Sequence, residues 1–181
     1  MSYKETDTHI YFWGSYLSNF AAFSFDFHLT EHAPATRALT SEHAFMWLKA
    51  ITFGDFKTLE LMLDAIEPKD VKALGRKVVG FDPAVWHTKS YECMYRALAA
   101  KFSQNQDIQE QLIASAPKTI VEGSPLDRIW GVGLAWNDPK ILDQANWLGE
   151  NRLGKLLMQL RWDLIQGRPL RYVPSKVLGT L

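Results

Sequence analysis

Residues 40–50, TSEHAFMWLKA, set an acid, an imidazole and an amine among apolar side chains: Glu42, His43 and Lys49 stand with Phe45, Met46, Trp47 and Leu48. On an α-helix, seven residues complete nearly two turns. Glu42 and Lys49 therefore project from one face, separated by about 10 Å along the axis, with Phe45 and Met46 between them. An acid and an amine at the two ends of an apolar floor suit a sugar or a nucleobase. A partly exposed helix face carrying two solvated charges has the same pattern.

A second constellation is EGSPLDRIWGVG, residues 122–133. Glu122 and Asp127 flank Trp130, Gly131 and Gly133; glycines let backbone approach a ligand and Trp offers a stacking face. A loop with solvated acids and a Trp plugging the core fits equally. A third is GENRLGKLL, residues 149–157. Free backbone N–H groups at a helix start, with Arg152 beside Asn151, can hold a phosphate; simple capping by Asn151 with a surface Arg152 is the alternative. In GSYLSNF, residues 14–20, Ser18 and Asn19 could contact a ligand, and turn chemistry explains them as well.

The elements that must carry these residues are mainly helices. Caps and breaks predict a helix from Thr40 or Ser41 to about Thr52, and a second after Gly54-Asp55. A third opens at Pro68 and ends at Gly80. A long helix spans about residues 84–102, another lies in QDIQEQLIASA, and the last runs through ENRLGKLLMQLRWDLIQ. There, Leu153, Leu156, Leu157, Leu160 and Leu164 form one stripe. IYFW, FSFDFH and KTIVEGSP have β composition, and residues 29–39 read as a loop or hairpin connection. Residues 122–149 are irregular and hold three Trp, which marks a functional loop. The expected fold is α+β, predominantly α-helical: one compact domain over residues 1–165 with a few short strands, then a basic, Pro-broken tail over 166–181.

Composition narrows the function. The 181 residues carry 20 Lys+Arg against 20 Asp+Glu. A net charge of zero argues against broad electrostatic capture of nucleic acid or anionic membrane. The seven Trp are expected mostly in an aromatic core. One cysteine, Cys93, permits no internal disulfide and fits a reducing cytoplasm; its helical spacing with Ala97 and Ala100 predicts a buried thiol. The polar N-terminus does not read as a secretory signal, and no apolar run approaches a membrane span. There is no dinucleotide fingerprint, P-loop or HExxH. Of the five histidines only His28 and His32 are close, and a polar loop explains them better than zinc. No metal or cofactor is expected.

Taken in order, YLSNF, SEHAFMWLKA with FGD, ALGRKV and Trp86, MYRALAAKF, IVEGSPLDRIWGVG and WLGENRLGKLLM resemble the NADAR, or YbiA-like, family of N-glycosidases over roughly residues 11–163. The resemblance implies a mainly helical NADAR/YbiA-like domain that cleaves an N-glycosidic bond to ribose. It implies two substrate groups: phosphoribosyl aminopyrimidines, the reactive early intermediates of riboflavin biosynthesis (a metabolite damage-control role), and ADP-ribosyl-guanine in nucleic acid. Family functional positions fall on Glu42, Lys49, Asp127, Trp130 and Asn151.

The implied chemistry follows from the bond. Cleavage develops positive charge at the anomeric carbon, which a carboxylate stabilises or relieves by activating water. Glu42 is the candidate, with Asp127 as second acid or ribose clamp. A Lys49 amine desolvated between Phe45 and Trp47 would be lowered in pKa and form a Schiff base with the sugar aldehyde. Trp130 beside Gly131 would stack on base or ribose, Phe45 would floor the site, Ser18 and Asn19 would add contacts, and Arg152 with Asn151 would hold a 5′-phosphate. Relatives carry an aromatic and a glutamine where this chain has Ala44 and Met46, so its leaving base is open. The rivals are a non-catalytic binder of ADP-ribose-type nucleotides and a partner protein acting through the basic tail, residues 168–176.

Overall fold

Short polar caps decide where helices begin. Thr40 and Asp55 each accept a backbone N–H three residues on, and Asp82 accepts those of Ala84 and Val85 ahead of Pro83. A computed structural model describes residues 3–30 and 32–170. In chain order the elements are β1 (Tyr3–Glu5), β2 (His9–Phe12), β3 (Phe25–His28), β4 (Ala35–Ala38), α1 (Ser41–Thr52), α2 (Phe56–Asp64), α3 (Pro68–Gly75), α4 (Pro83–Ser103), α5 (Gln106–Ala114), β5 (Thr119–Glu122) and α6 (Arg152–Ile165), with 3₁₀ turns at Pro139–Leu142 and Gln144–Asn146. The protein is α+β and predominantly helical. Its described residues divide into two units, 3–21 with 107–169, and 22–106 with 170.

In the first unit a three-stranded sheet runs β1-β2-β5. β2 pairs antiparallel with β1 and parallel with β5, His9 opposite Thr119 and Phe12 opposite Glu122. α6 covers β5 and buries Leu153, Leu156, Leu157 and Leu160; Leu164 is half-buried. The segment after β5 has a small core of its own. Val132 and Ile141 join Tyr11 and Val121, with Leu134, Trp136 and Trp147 packed against them, and Trp147 Nε1 donates to the Ile141 carbonyl at 2.8 Å. A long irregular stretch stays ordered because it buries apolar surface locally.

In the second unit β3 and β4 form an antiparallel hairpin, so residues 29–39 include a paired strand. α1 lies at the centre of the helices and packs on α2, α3 and α4. Nine of its twelve residues are buried. α4 buries Cys93, Ala97, Ala100 and Phe102, and burial pushes the Cys93 thiol up, as a structural thiol requires.

Two expectations are corrected. The third helix ends at Gly75, not Gly80. The hydrogen bond that would continue it, Val79 N–H to the Gly75 carbonyl, is split between side chains. Val79 N–H donates to Asp55 Oδ2 at 2.8 Å, and the Gly75 carbonyl accepts from Lys49 Nζ at 2.7 Å. Of the seven Trp only Trp47 is fully buried; Trp13 and Trp162 are about half exposed. A large ring with one N–H to satisfy settles more readily at a rim. The tail beyond residue 170 lies outside the described residues. No helix among those described is long and apolar enough to cross a membrane.

Candidate functional site

α1 carries the Glu42–Lys49 face, and its start is locked from below by His43. The Thr40 hydroxyl oxygen accepts the His43 backbone N–H, and its proton goes to His43 Nδ1 at 2.8 Å. His43 Nε2 then donates to the Ala65 carbonyl at 3.2 Å. Burial holds this imidazole below its ordinary pKa, in keeping with a neutral ring bonded on both sides. His43 is thus a tie between α1 and the chain after α2. Glu42, one residue earlier, is 4% exposed and sits in the first turn, where the helix dipole favours an anion. The adjacent Ser41 hydroxyl is buried with no partner among the described residues.

Lys49 lies two turns on and is half-buried. Desolvation pushes its amine below the ordinary lysine value, and the Glu42 charge pulls it part of the way back. The two groups therefore sense each other across their helix face. The aromatic neighbours differ from those expected. Nζ lies 4.1 Å from the centre of the Phe81 ring and 5.6 Å from that of Trp86. Trp47 turns away, its Nε1 donating to the Met62 carbonyl. Phe45 serves indirectly by packing on Trp86, centroids 5.1 Å apart. Met46 is 6% exposed and presses on Gly75; a Cβ there would run into its sulfur. Met46 is thus a packing residue that brings the Gly75 carbonyl to Lys49.

The remaining candidates belong to the first unit. Asp127 Oδ1 accepts the N–H groups of Ile129 and Trp130 at 2.9 and 2.8 Å, an Asx turn that folds the loop back. Gly131 has no room for a side chain, because a Cβ would sit 2.9 Å from the Asp127 carbonyl oxygen and 3.0 Å from that of Glu122. The chain itself approaches this glycine. Trp130 is half-buried. Ser18 Oγ accepts the Phe20 N–H, and Asn19 Oδ1 is buried without a partner among the described residues.

The start of α6 departs from expectation. The backbone N–H groups of Asn151, Arg152 and Leu153 donate to the carbonyls of Gly131, Ile129 and Trp130. They are not free for a phosphate. Asn151 makes no side-chain cap and adopts a left-handed conformation, φ 52°. Its amide reaches across to β5, Oδ1 accepting Glu122 N–H at 3.0 Å and Nδ2 donating to the Ile120 carbonyl at 2.9 Å. Arg152 is largely buried and ion-paired with Glu150 at 2.8 Å. This junction holds loop 127–133 onto β5 and α6.

Two features escaped the sequence reading as parts of the site or the buried core. Phe81 and Trp86 form the wall beside Lys49. Lys101, fully buried in α4 with Nζ about equally distant from the Phe23 and Phe102 rings, 5.4 and 5.2 Å, is pushed down to about 7 by burial. Its signal was in the spacing: Cys93, Ala97 and Lys101 recur every four residues on one buried stripe.

An amine lowered by burial thus shares one helix face with a buried carboxylate two turns away. The chain belongs to the NADAR domain family, whose profile matches residues 11–165. It is 36% identical over 123 residues to N-glycosidase R617 of Acanthamoeba polyphaga mimivirus, covering 68% of this chain and 72% of that protein. Over 125 residues it is 34% identical to N-glycosidase YbiA of Escherichia coli, 69% of each chain. The solution structure of E. coli YbiA superposes with a TM-score of 0.69 at 30% identity, over 92% of this chain and 90% of that one. The protein is accordingly a hydrolase acting on N-glycosyl compounds.

Proposed function

We propose that the protein hydrolyses the N-glycosidic bond between a phosphoribose or ADP-ribose and a base-like amine, with early riboflavin-pathway phosphoribosyl aminopyrimidines as its substrate class. The observation that carries this reading is the Lys49 amine. It is desolvated, backed by two aromatic rings and on the same helix face as buried Glu42.

In the proposed sequence, neutral Lys49 attacks the anomeric carbon. The Nζ–C1′ bond forms as the bond from C1′ to the base nitrogen breaks, and the proton lost by the amine leaves with the base. The remaining amine proton passes to the ring oxygen as the sugar opens, giving a Schiff base. Water adds to the imine carbon as the Glu42 carboxylate takes one of its protons and returns it to the imine nitrogen. In the carbinolamine the hydroxyl proton then passes to that nitrogen as the C1′–Nζ bond breaks, which regenerates the amine and the carboxylate and releases the sugar as its aldehyde. Glu42 also stabilises the positive charge that develops as the base departs. For Asp127 and Trp130 the family likeness supports a functional role, each testable by single substitution.

The test is a mass-spectrometric turnover assay with phosphoribosyl aminopyrimidines and an ADP-ribosyl-guanine oligonucleotide, with Glu42→Gln as control. Cleavage of the aminopyrimidines is expected. Cleavage of the oligonucleotide alone reassigns the enzyme to nucleic-acid ADP-ribosylation. Binding of ADP-ribose with no turnover of either replaces the enzyme by a binding module.

A further inference from the structure

The Lys49 amine is held by three groups. An ammonium has three donors and no acceptor. One donor goes to the Gly75 carbonyl at 2.7 Å, a carbonyl released to Lys49 because Val79 N–H is taken by Asp55. The other two sides face rings, Phe81 at 4.1 Å and Trp86 at 5.6 Å. Among charged groups, Glu42 on α1 acts on the amine; α3 brings the Gly75 carbonyl, the segment after it brings Phe81 and α4 brings Trp86.

The two rings are not equivalent. Trp86 is half-buried and wedged between Phe45 and Phe53, at 5.1 and 6.2 Å. Phe81 is 42% exposed and leans edge-on against Phe53, 5.3 Å away at 65°. It follows Gly80, whose φ of 74° belongs to the left-handed region that glycine enters at little cost. Val79 on its other side is 71% exposed. Trp86 is therefore the fixed wall and Phe81 the ring presented from a surface turn, nearer to the amine.

We propose that Phe81 is a positioning residue for the reaction: its ring face holds the Lys49 ammonium against the Gly75 carbonyl and lets the amine go once it has lost its proton. The physics lies in the selectivity of the contact. A ring quadrupole attracts a cation strongly and a neutral amine hardly at all. The resting, protonated amine is clamped, and the nucleophilic form is released to reach the sugar. The ring has two separable effects. Its bulk keeps water off the amine, and its face favours the charged form.

Phe81→Leu keeps most of the bulk and removes the face; Phe81→Trp restores a face. This inference rests on Lys49 as nucleophile, so its test includes a readout that needs no turnover. The titration of Lys49 Nζ is followed by ¹⁵N NMR on lysine-labelled protein, assigned with Lys49→Arg. Trapping of D-ribose 5-phosphate by cyanoborohydride is measured across the same pH range. Phe81→Leu is expected to lower the midpoint of Lys49 titration by about half a pH unit and to move the trapping profile with it. Phe81→Trp is expected to return both to the wild-type position. Coincident midpoints in the three proteins, or Phe81→Trp behaving as Phe81→Leu, would overturn the proposal. A wild type that traps no sugar on Lys49 would overturn the nucleophile itself and with it any role of Phe81 in the reaction, while the NMR midpoints report separately on the ring.

Discussion

At the scale of single residues, the environment divides roles between two groups of one helix face. Glu42 is nearly inaccessible, whereas Lys49 is half-buried and reaches an aromatic wall that is itself partly open. Glu42→Gln keeps the shape and removes the charge. Turnover is expected to fall by a factor of at least about 100 with no loss of fold; near-normal turnover, measured with circular dichroism as a folding control, removes Glu42 from the mechanism. The same substitution has a consequence for Lys49. Desolvation lowers the amine and Glu42 raises it, so without the carboxylate the Lys49 midpoint drops further below the ordinary lysine value of about 10.4. A Nζ titration that stays put in Glu42→Gln would mean the two groups do not couple. Lys49→Ala is expected to abolish borohydride trapping of a sugar adduct, and an adduct that persists in the variant lies on another residue.

At the scale of elements, Asn151 shows how a site-like residue can be spent on architecture. Its amide bridges the Ile120 carbonyl and the Glu122 N–H of β5 while its backbone turns left-handed into α6. Asn151→Ala loses two buried hydrogen bonds and places alanine at a positive φ. The expected cost is about 3 kcal/mol, read as a lower denaturant midpoint; a midpoint within experimental error of the wild type would show that β5 does not depend on this bridge. The same comparison explains what sequence could and could not reveal. The start of α1 was legible because Thr40 caps it and apolar spacing follows. α4 was legible because Asp82-Pro83 is a local signal. The end of α3 was not, since it depends on Asp55 and Lys49, which arrive from elsewhere in the chain to take one donor and one acceptor. Asn151, read as a phosphate-holding residue with capping as the alternative, makes no side-chain cap for the same reason: its partners lie 29 and 31 residues away. Glu42 and Lys49 were placed on one face by helical period alone. Phe81 and Trp86 lie outside that helix, and no period within it points to them.

At the scale of the whole molecule, acids and bases are balanced at 20 each, so general charge repulsion gives little pH dependence near neutrality. The dependence falls instead to individual buried groups, and the largest near neutrality is Lys101. Its folded-state amine titrates at about 7, whereas an unfolded lysine titrates near 10.4. Between these values the unfolded chain holds a proton that the folded chain does not. Stability therefore rises as pH is raised through this window and levels off below it, where both states are protonated. Tyr11 and Tyr16 limit the upper end: burial raises their phenols, so above about pH 10 the unfolded state loses protons that the folded state keeps, and stability declines. Urea midpoints for this protein are thus expected to climb from pH 7 to about 9.5, on the alkaline side of the range common among proteins. Lys101→Met fills the same space between Phe23 and Phe102 without a titrating group, and it should flatten that climb while leaving the decline above pH 10. Equal slopes in wild type and Lys101→Met between pH 7 and 9.5 would show that the buried amine finds enough compensation in the fold to titrate as it does in the unfolded chain.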